Sequence, residues 1–172
     1  MNTQFRYIRH NVFGWIIHSK NLNAGESYLV NVTENTEASQ LGNITLWTKG
    51  LIEGRNITGN VQVIPRTPGY SNINRGTAIA GTYEFTATEA SEWWCINYIA
   101  NKKQLPEVEI LYIKKGDSNT YPAGKKIFLC SGSASVNNTL CEAPIALELT
   151  SGQQLLTALN TCYGFIFKEN KT

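Results

Sequence analysis

AGTYEFTATEASEWWCIN, residues 80–97, reads as two β-strands joined by a turn. In its first half Tyr83 and Phe85 alternate with Glu84 and Thr86, and alternate residues of a strand face opposite sides of a sheet. The apolar run WWCI then follows the polar turn TEASE. A glycine, a carboxylate and two adjacent tryptophans could build the wall of an active site or only the frame of a fold. The β pattern, repeated along the chain, favours the frame.

Outward from this stretch the same period recurs. Tyr28, Val30 and Val32 alternate with polar neighbours, ITLW follows Gly42 and Asn43, and Val61 and Val63 flank Gln62. Val108, Ile110 and Tyr112 open the second half; Ile145, Leu147 and Leu149 oppose Glu148; Tyr163, Phe165 and Phe167 read as a last inward row. KGLIEGRNITGN, RTPGYSN, KKGDSN and YPAGKK carry the Gly, Pro, Asn and Asp that reverse a chain. Many short strands at this spacing predict an all-β sandwich or jelly roll. An internal echo divides it. GTYEFTA (81–87) matches GQQLLTA (152–158), each before an aromatic strand, and ITLWTKG ending at Gly50 matches KIFLCSG ending at Gly132. The second copy is compressed, and a strand is expected over QQLLTALN despite its helical spacing. The expected organisation is an N-terminal arm or strand over 1–22, one β half over 23–103 and a shorter one sharing its core over 104–172.

Only 16% of the 172 residues are charged, against about 25% in ordinary soluble chains, and the net charge is +2. The lysine pairs at 102–103, 114–115 and 125–126 read as strand ends and turns. No basic patch points to nucleic acid, and no run reaches the ~20 apolar residues of a membrane helix. VFGWII near the start is too short for a secretory signal, so a cytoplasmic origin is expected. Cys95, Cys130, Cys141 and Cys162 lack metal-ligand spacing and are expected to be reduced core residues, with a Cys130–Cys141 bridge as the minority reading. The sequons at Asn31, Asn43, Asn56 and Asn137 imply no glycan without a secretory route.

A strand ending at Lys49 and Gly50, a loop, and then RGTAIAGTYEFTATEASEWWCI together resemble the cupin family of small jelly rolls. The resemblance covers residues 23–99, and more faintly 108–167. It implies a metal site of three histidines and a glutamate, but the residues at those places differ. The glutamate position falls on Asn43, the paired histidines on Glu37 and Ser39 or on Thr36 and Ala38, and the third histidine on Glu84. The motif's proline position holds Ile79, and the third-histidine place of the second half holds Leu155. Only His10 and His18 exist, both ahead of the pattern. Four fixed donors are what hold such an ion, so no metal and no cofactor are expected.

Among candidate ligand-facing residues, Glu84 stands at an inward family position, yet its alternation with Tyr83 and Phe85 also allows it to face water. Trp47, Trp93 and Trp94 could stack on a sugar, but neighbours on a strand point to opposite faces, so one of Trp93 and Trp94 is expected in the core and the other at a subunit interface. No nucleophile elbow, P-loop or dinucleotide fingerprint occurs, and no catalytic residue is expected. Phe5, Tyr7, Ile8, Phe13 and Trp15, with Val12, Ile16 and Ile17, are too apolar for a free tail and are the candidate interface or arm.

These features point to assembly. Cupin-like jelly rolls without histidines are similar to structural proteins of tailed phages. The expectation is a non-enzymatic virion protein, a capsid decoration or a tail or fibre component. It would be made in the host cytoplasm, form a homo-oligomer, preferably a trimer, and contact other virion proteins. Two alternatives are a carbohydrate- or receptor-binding module, which needs a tryptophan exposed in a groove, and a metal-free cupin enzyme of sugar epimerase type, which needs Glu84 buried beside a second titratable group.

Overall fold

The computed structural model of the chain describes residues 6–32, 43–74, 81–97, 106–149 and 154–168, and all its regular structure there is β. No helix among these residues is long and apolar enough to cross a membrane. The chain divides into two compact units, Met1–Leu105 and Pro106–Thr172.

The first unit contains β1 (Arg6–Val12), β2 (Trp15–Leu22), β3 (Ser27–Val32), β4 (Asn43–Lys49), β5 (Ile52–Asn56), β6 (Val61–Arg66), β7 (Ser71–Asn74), β8 (Gly81–Ala87) and β9 (Ser91–Asn97). They form two antiparallel sheets, β1-β2-β9-β4-β7 and β3-β8-β5-β6. The second unit contains β10 (Val108–Ile113), β11 (Ser118–Tyr121), β12 (Lys126–Ser131), β13 (Ser133–Val136), β14 (Thr139–Glu142), β15 (Ile145–Glu148), β16 (Gln154–Ala158) and β17 (Cys162–Phe167). Its sheets run β10-β17-β12-β15 and β11-β16-β13-β14. Apart from β1, adding eight to each strand number of the first unit yields the second. Both units are jelly rolls of one topology, and the echoed segments fall on equivalent strands, β4 with β12 and β8 with β16.

Equivalent corners are built from equivalent residues. β4 and β12 each carry an irregularity near their end, at Trp47/Lys49 and Leu129/Ser131. Each then turns on a left-handed glycine, Gly50 (φ 80°) and Gly132 (φ 101°). A β-carbon on Gly50 would strike Ser91 Oγ and the Ala90 carbonyl; one on Gly132 would strike the Thr161 carbonyl. NAGE (23–26) and KKGD (114–117) are likewise a matched pair of turns. Gly25 N donates to the Ala87 carbonyl at 2.8 Å and Ala87 N to Glu26 O, as Gly116 N donates to Ala158 O at 2.8 Å and Ala158 N to Asp117 O. The compression of the second unit has a local cause in its β13–β14 turn. Asn137 and Asn138, both at positive φ (47° and 67°), close that hairpin in two residues, the type I′ geometry that Asn accommodates.

Residues 1–22 were expected as an arm or strand, and from Arg6 onward they take the strand form. β1 and β2 make a hairpin about Phe13 (φ 49°) and Gly14 (φ 81°), and β2 pairs with β9 along Ile17–Leu22. Phe5 lies outside the described residues. Ile8 is exposed, Val12 is buried, and Phe13 and Trp15 are half-buried.

Two expectations about facing are corrected. Trp93 and Trp94 do point to opposite faces, but neither stands exposed, each keeping 3% of its surface. The Trp94 face also carries Ile17, Ile44, Leu46 and Ile96, all wholly buried, so this sheet is covered on both sides. Tyr163, Phe165 and Phe167 are not the inward row of the second unit. Its core gathers Leu111, Ile113, Ile127, Leu129, Leu156, Cys162 and Ile166, which places Phe165 on the other face of β17, opposite Ile110 and Phe128 in register. All four cysteines are buried and free, so no Cys130–Cys141 bridge exists.

The glycine corners predict a ranked stability series. Gly116→Ala (φ 90°, open space around it) meets only left-handed strain, about 1–2 kcal/mol. Gly50→Ala and Gly132→Ala add a backbone collision, for about 2–5 kcal/mol in all. Urea midpoints of the three variants give the ranking, and equal losses would refute the shared-corner account.

Burial also sets a pH window. It raises the thiols of Cys95, Cys141 and Cys162 and the phenols of Tyr28, Tyr121 and Tyr163, and lowers the imidazoles of His10 and His18. The stability contributed by the raised acids is complete below their unfolded values, from 9.0 for thiols, and is lost as pH rises through the folded ones. That of the histidines is complete above 6.5 and lost as pH falls. The urea midpoint should therefore plateau between about pH 6.5 and 9 and fall on both sides; a midpoint still climbing above pH 9 would contradict this.

Candidate functional site

Alternation and register define what the first unit places between its two sheets. β4 and β9 contribute Trp47 and Trp93, β2 contributes Leu22, and β3 and β8 contribute Tyr28, Phe85 and Ala87. β5 contributes Ile52, paired with Ala87 and with Arg66. Arg66 is inward because of a bulge. Ile52 pairs with Arg66 and Gly54 with Val63, so Ile64 and Pro65 together oppose the single residue Glu53 and the phase of β6 inverts. In an unbroken β6, Arg66 would share a face with Gln62 and Ile64 and point to water.

The guanidinium sits among rings. Its Cζ lies 4.3 Å from the Tyr70 ring centroid, 5.2 Å from that of Trp47 and 6.0 Å from that of Phe85. Behind these, Tyr28 stacks on Phe85 (5.1 Å) and on Trp93 (5.6 Å), and Trp47 stacks on Trp93 at 6.4 Å. Gly54 makes room: a β-carbon there would come within 2.8 Å of the Phe85 ring. Only 8% of Arg66 remains exposed, and it is the only charged side chain in the buried set among the described residues.

Its polar needs are half met. Nη1 donates to the Ile64 carbonyl at 2.7 Å, while Nε has no hydrogen-bond partner among the described residues. Trp47 Nε1, on a side chain 6% exposed, is equally without one. Each cation–π contact is worth about 0.5–2 kcal/mol, whereas an uncompensated buried charge costs several kcal/mol and each orphaned donor about 1–3 more. Rings alone do not balance that cost.

No carboxylate of the described residues approaches from inside. The described acids of the first unit are Glu26 and Glu89 in turns, Glu53 and Glu84 on the outer face of their sheet, and Glu92 on the face of β9 opposite Trp93. Lys20 and His18 share the inward phase of β2 with Leu22. Among the described residues the interior therefore holds cationic and titratable nitrogen and no carboxylate. The Tyr28 phenol is held neutral, because burial raises it more than Arg66 lowers it.

Glu84, the third-histidine position, sits in an outer row with exposed Leu29 and Arg55, so the water-facing reading of its alternation applies. The metal-free enzyme reading loses its buried Glu84 there. The sugar-binding reading loses its exposed platform, because Trp47, Trp93 and Trp94 are all buried. Trp94 is tied down beside the His10 ring (4.8 Å) and donates from Nε1 to Glu92 Oε1 at 3.2 Å, which also accepts from Thr48 Oγ1 at 2.7 Å. Glu37, Ser39, Thr36, Ala38 and Ile79 lie outside the described residues. Leu155 is exposed on β16. A divalent metal does not fit this interior: the charge already there is a cation, and no group of His, Cys, Asp and Glu among the described residues could hold an ion. An open cleft of about 350 Å³ lies elsewhere, lined by Asn21, Asn23, Lys49, Ser91 and Glu92 among others. Sequence reading missed Arg66, taking RTPGYSN only as a turn. The available signal was Pro65 inside a strand, which marks a bulge.

No family model matches the chain, and no curated protein matches it in sequence. Solved structures match it in shape. HutD from Pseudomonas fluorescens SBW25 superposes with a TM-score of 0.55 at 10% identity, over 95% of this chain and 86% of that one. The bacterial pirin YhhW from Escherichia coli, in complex with nickel(II), gives 0.53 at 10% identity over 94% and 85%. A cupin 2 conserved barrel domain protein from Leptotrichia buccalis gives 0.51 at 11% identity over 98% and 91%. At such identities the likeness is one of fold: the chain has the all-β, cupin-like jelly-roll architecture.

Proposed function

We propose that the chain is a non-enzymatic structural subunit that assembles through its sheet edges, serving as a decoration, tail or fibre component of a tailed-phage particle. Strand β6 carries the reading. It is the last strand of its sheet, and it presents Val61 (58% exposed) and Ile64 (66% exposed) to water. Natural proteins usually blunt such an edge with charge. β6 is VQVIPR, whose one charge, Arg66, is turned inward, and only Pro65 near its end interrupts the free edge. The corresponding edge strand β14 exposes Leu140. Pairing β6 of one copy with β14 of the next is heterologous and closes as a ring, with a homotrimer the preferred state. The phage setting is supported by the sequence resemblance and by the sparsely charged surface.

Light scattering after size exclusion tests the assembly. The expected mass is that of three 19.1 kDa chains, and Ile64→Lys should yield the single-chain mass with an unchanged urea midpoint. A wild-type protein that stays monomeric at every concentration would overturn the proposal. Immunogold labelling of particles from the source tests the setting: label on the particle supports it, and label confined to the surrounding lysate removes it.

A further inference from the structure

We infer that the interior of the first jelly roll is a binding site for a small carboxylate, gripped by Arg66 and Trp47. This goes beyond assembly and does not depend on it.

Four observations converge. Arg66 is more than nine-tenths buried, and among the described residues its Nε–H has no partner; Trp47, equally buried, likewise leaves its Nε1–H without one there. Both belong to one cluster, with the guanidinium carbon 5.2 Å from the Trp47 ring. No described acid of this unit points inward, although Lys20 lies on the inner phase. Nη1 is already spent on the Ile64 carbonyl. The edge that remains, Nε with Nη2, is the planar fork that receives two carboxylate oxygens side by side. Trp47 Nε1 adds a third donor. The rings of Tyr70, Trp47 and Phe85 surround the guanidinium and exclude water, which strengthens a charge-assisted bond. A flat monoanion suits this fork better than a tetrahedral dianion, which calls for more than one guanidinium. The aromatic faces suit a ligand with an apolar or planar body.

The test uses the full chain, with acetate and benzoate as probes against their neutral counterparts acetamide and benzamide, at ionic strength held constant with chloride. The readouts are tryptophan fluorescence and melting temperature. The expected result is a saturable response to a carboxylate and none to its amide. Arg66→Met should abolish the response while melting at or above the wild-type temperature without ligand, because the methionine keeps the stem and removes the unpaired charge. Arg66→Lys, which keeps charge but loses the fork, should weaken binding tenfold or more. Replacing Glu34 and Glu37 by Gln should leave binding and melting unchanged. Equal responses to acid and amide, a stronger response to sulfate than to either carboxylate, or an Arg66→Met variant that retains the response would each overturn the assignment. So would a Glu34→Gln, Glu37→Gln variant that melts early while the wild type ignores carboxylates, since one of those side chains would then be the anion.

Discussion

The structure depends on how closely the end of one strand may approach the start of another. In both units the strand before the glycine corner, β4 or β12, ends in an irregularity and turns on a left-handed glycine, pressed against the residues that open the last strand. Any side chain at Gly50 or Gly132 would hold those segments apart. Because the last strand is the centre of its sheet, pairing in the first unit with both β2 and β4, its position sets the register of its neighbours. One steric requirement, met twice by the same residue type, thus fixes two sheets. It is the physical content of the ITLWTKG and KIFLCSG echo.

What was legible in the sequence was whatever has a local cause. Strand periodicity, turn residues and the paired glycine motifs are short-range signals, and the strands and their equivalence across the two units follow from them. What was not legible is facing. WWCI and CYGFIF are unbroken apolar runs, and in such a run alternation carries no information about which side meets the core. Alternation left open which of Trp93 and Trp94 meets the core, and both are buried; Phe165, read as part of an inward row, is buried on the opposite face of its strand. The Phe13–Gly14 turn was hidden for another reason: a phenylalanine at positive φ has no compositional signature, and the apolar residues around it read as an arm. Glu84 was legible both ways, and the register with Leu29 and Arg55 decided for water.

Arg66 shows how a single extra residue relocates chemistry. Two residues, Ile64 and Pro65, span the place of one, Glu53, and every side chain beyond them on β6 changes face. A proline within a strand is compatible with a bulge because the position it takes needs no ladder donor. The consequence is electrostatic. A side chain that would have been an ordinary surface cation becomes the one buried charge among the described residues, ringed by π faces that attract it but accept no conventional hydrogen bond from its Nε.

The two jelly rolls share a topology but have diverged in what fills them. The second packs aliphatic residues and cysteine, Leu111, Ile113, Ile127, Leu129, Leu156, Cys162 and Ile166, with no charge in the cluster. The first packs stacked aromatics around a cation. An aliphatic filling is the cheaper solution, since it leaves nothing unsatisfied, and the second unit shows that this scaffold accepts it. Retaining a guanidinium in the first unit sacrifices stability that the same fold can have. The cupin resemblance implies an interior of imidazoles and a carboxylate that awaits a cation, whereas the described interior here already holds a cation of its own among aromatic faces. The same strand order therefore holds two interiors of different electrostatic character, one wholly satisfied and one carrying a cation whose Nε has no partner among the described residues, so side chains and not topology set the polarity of the site.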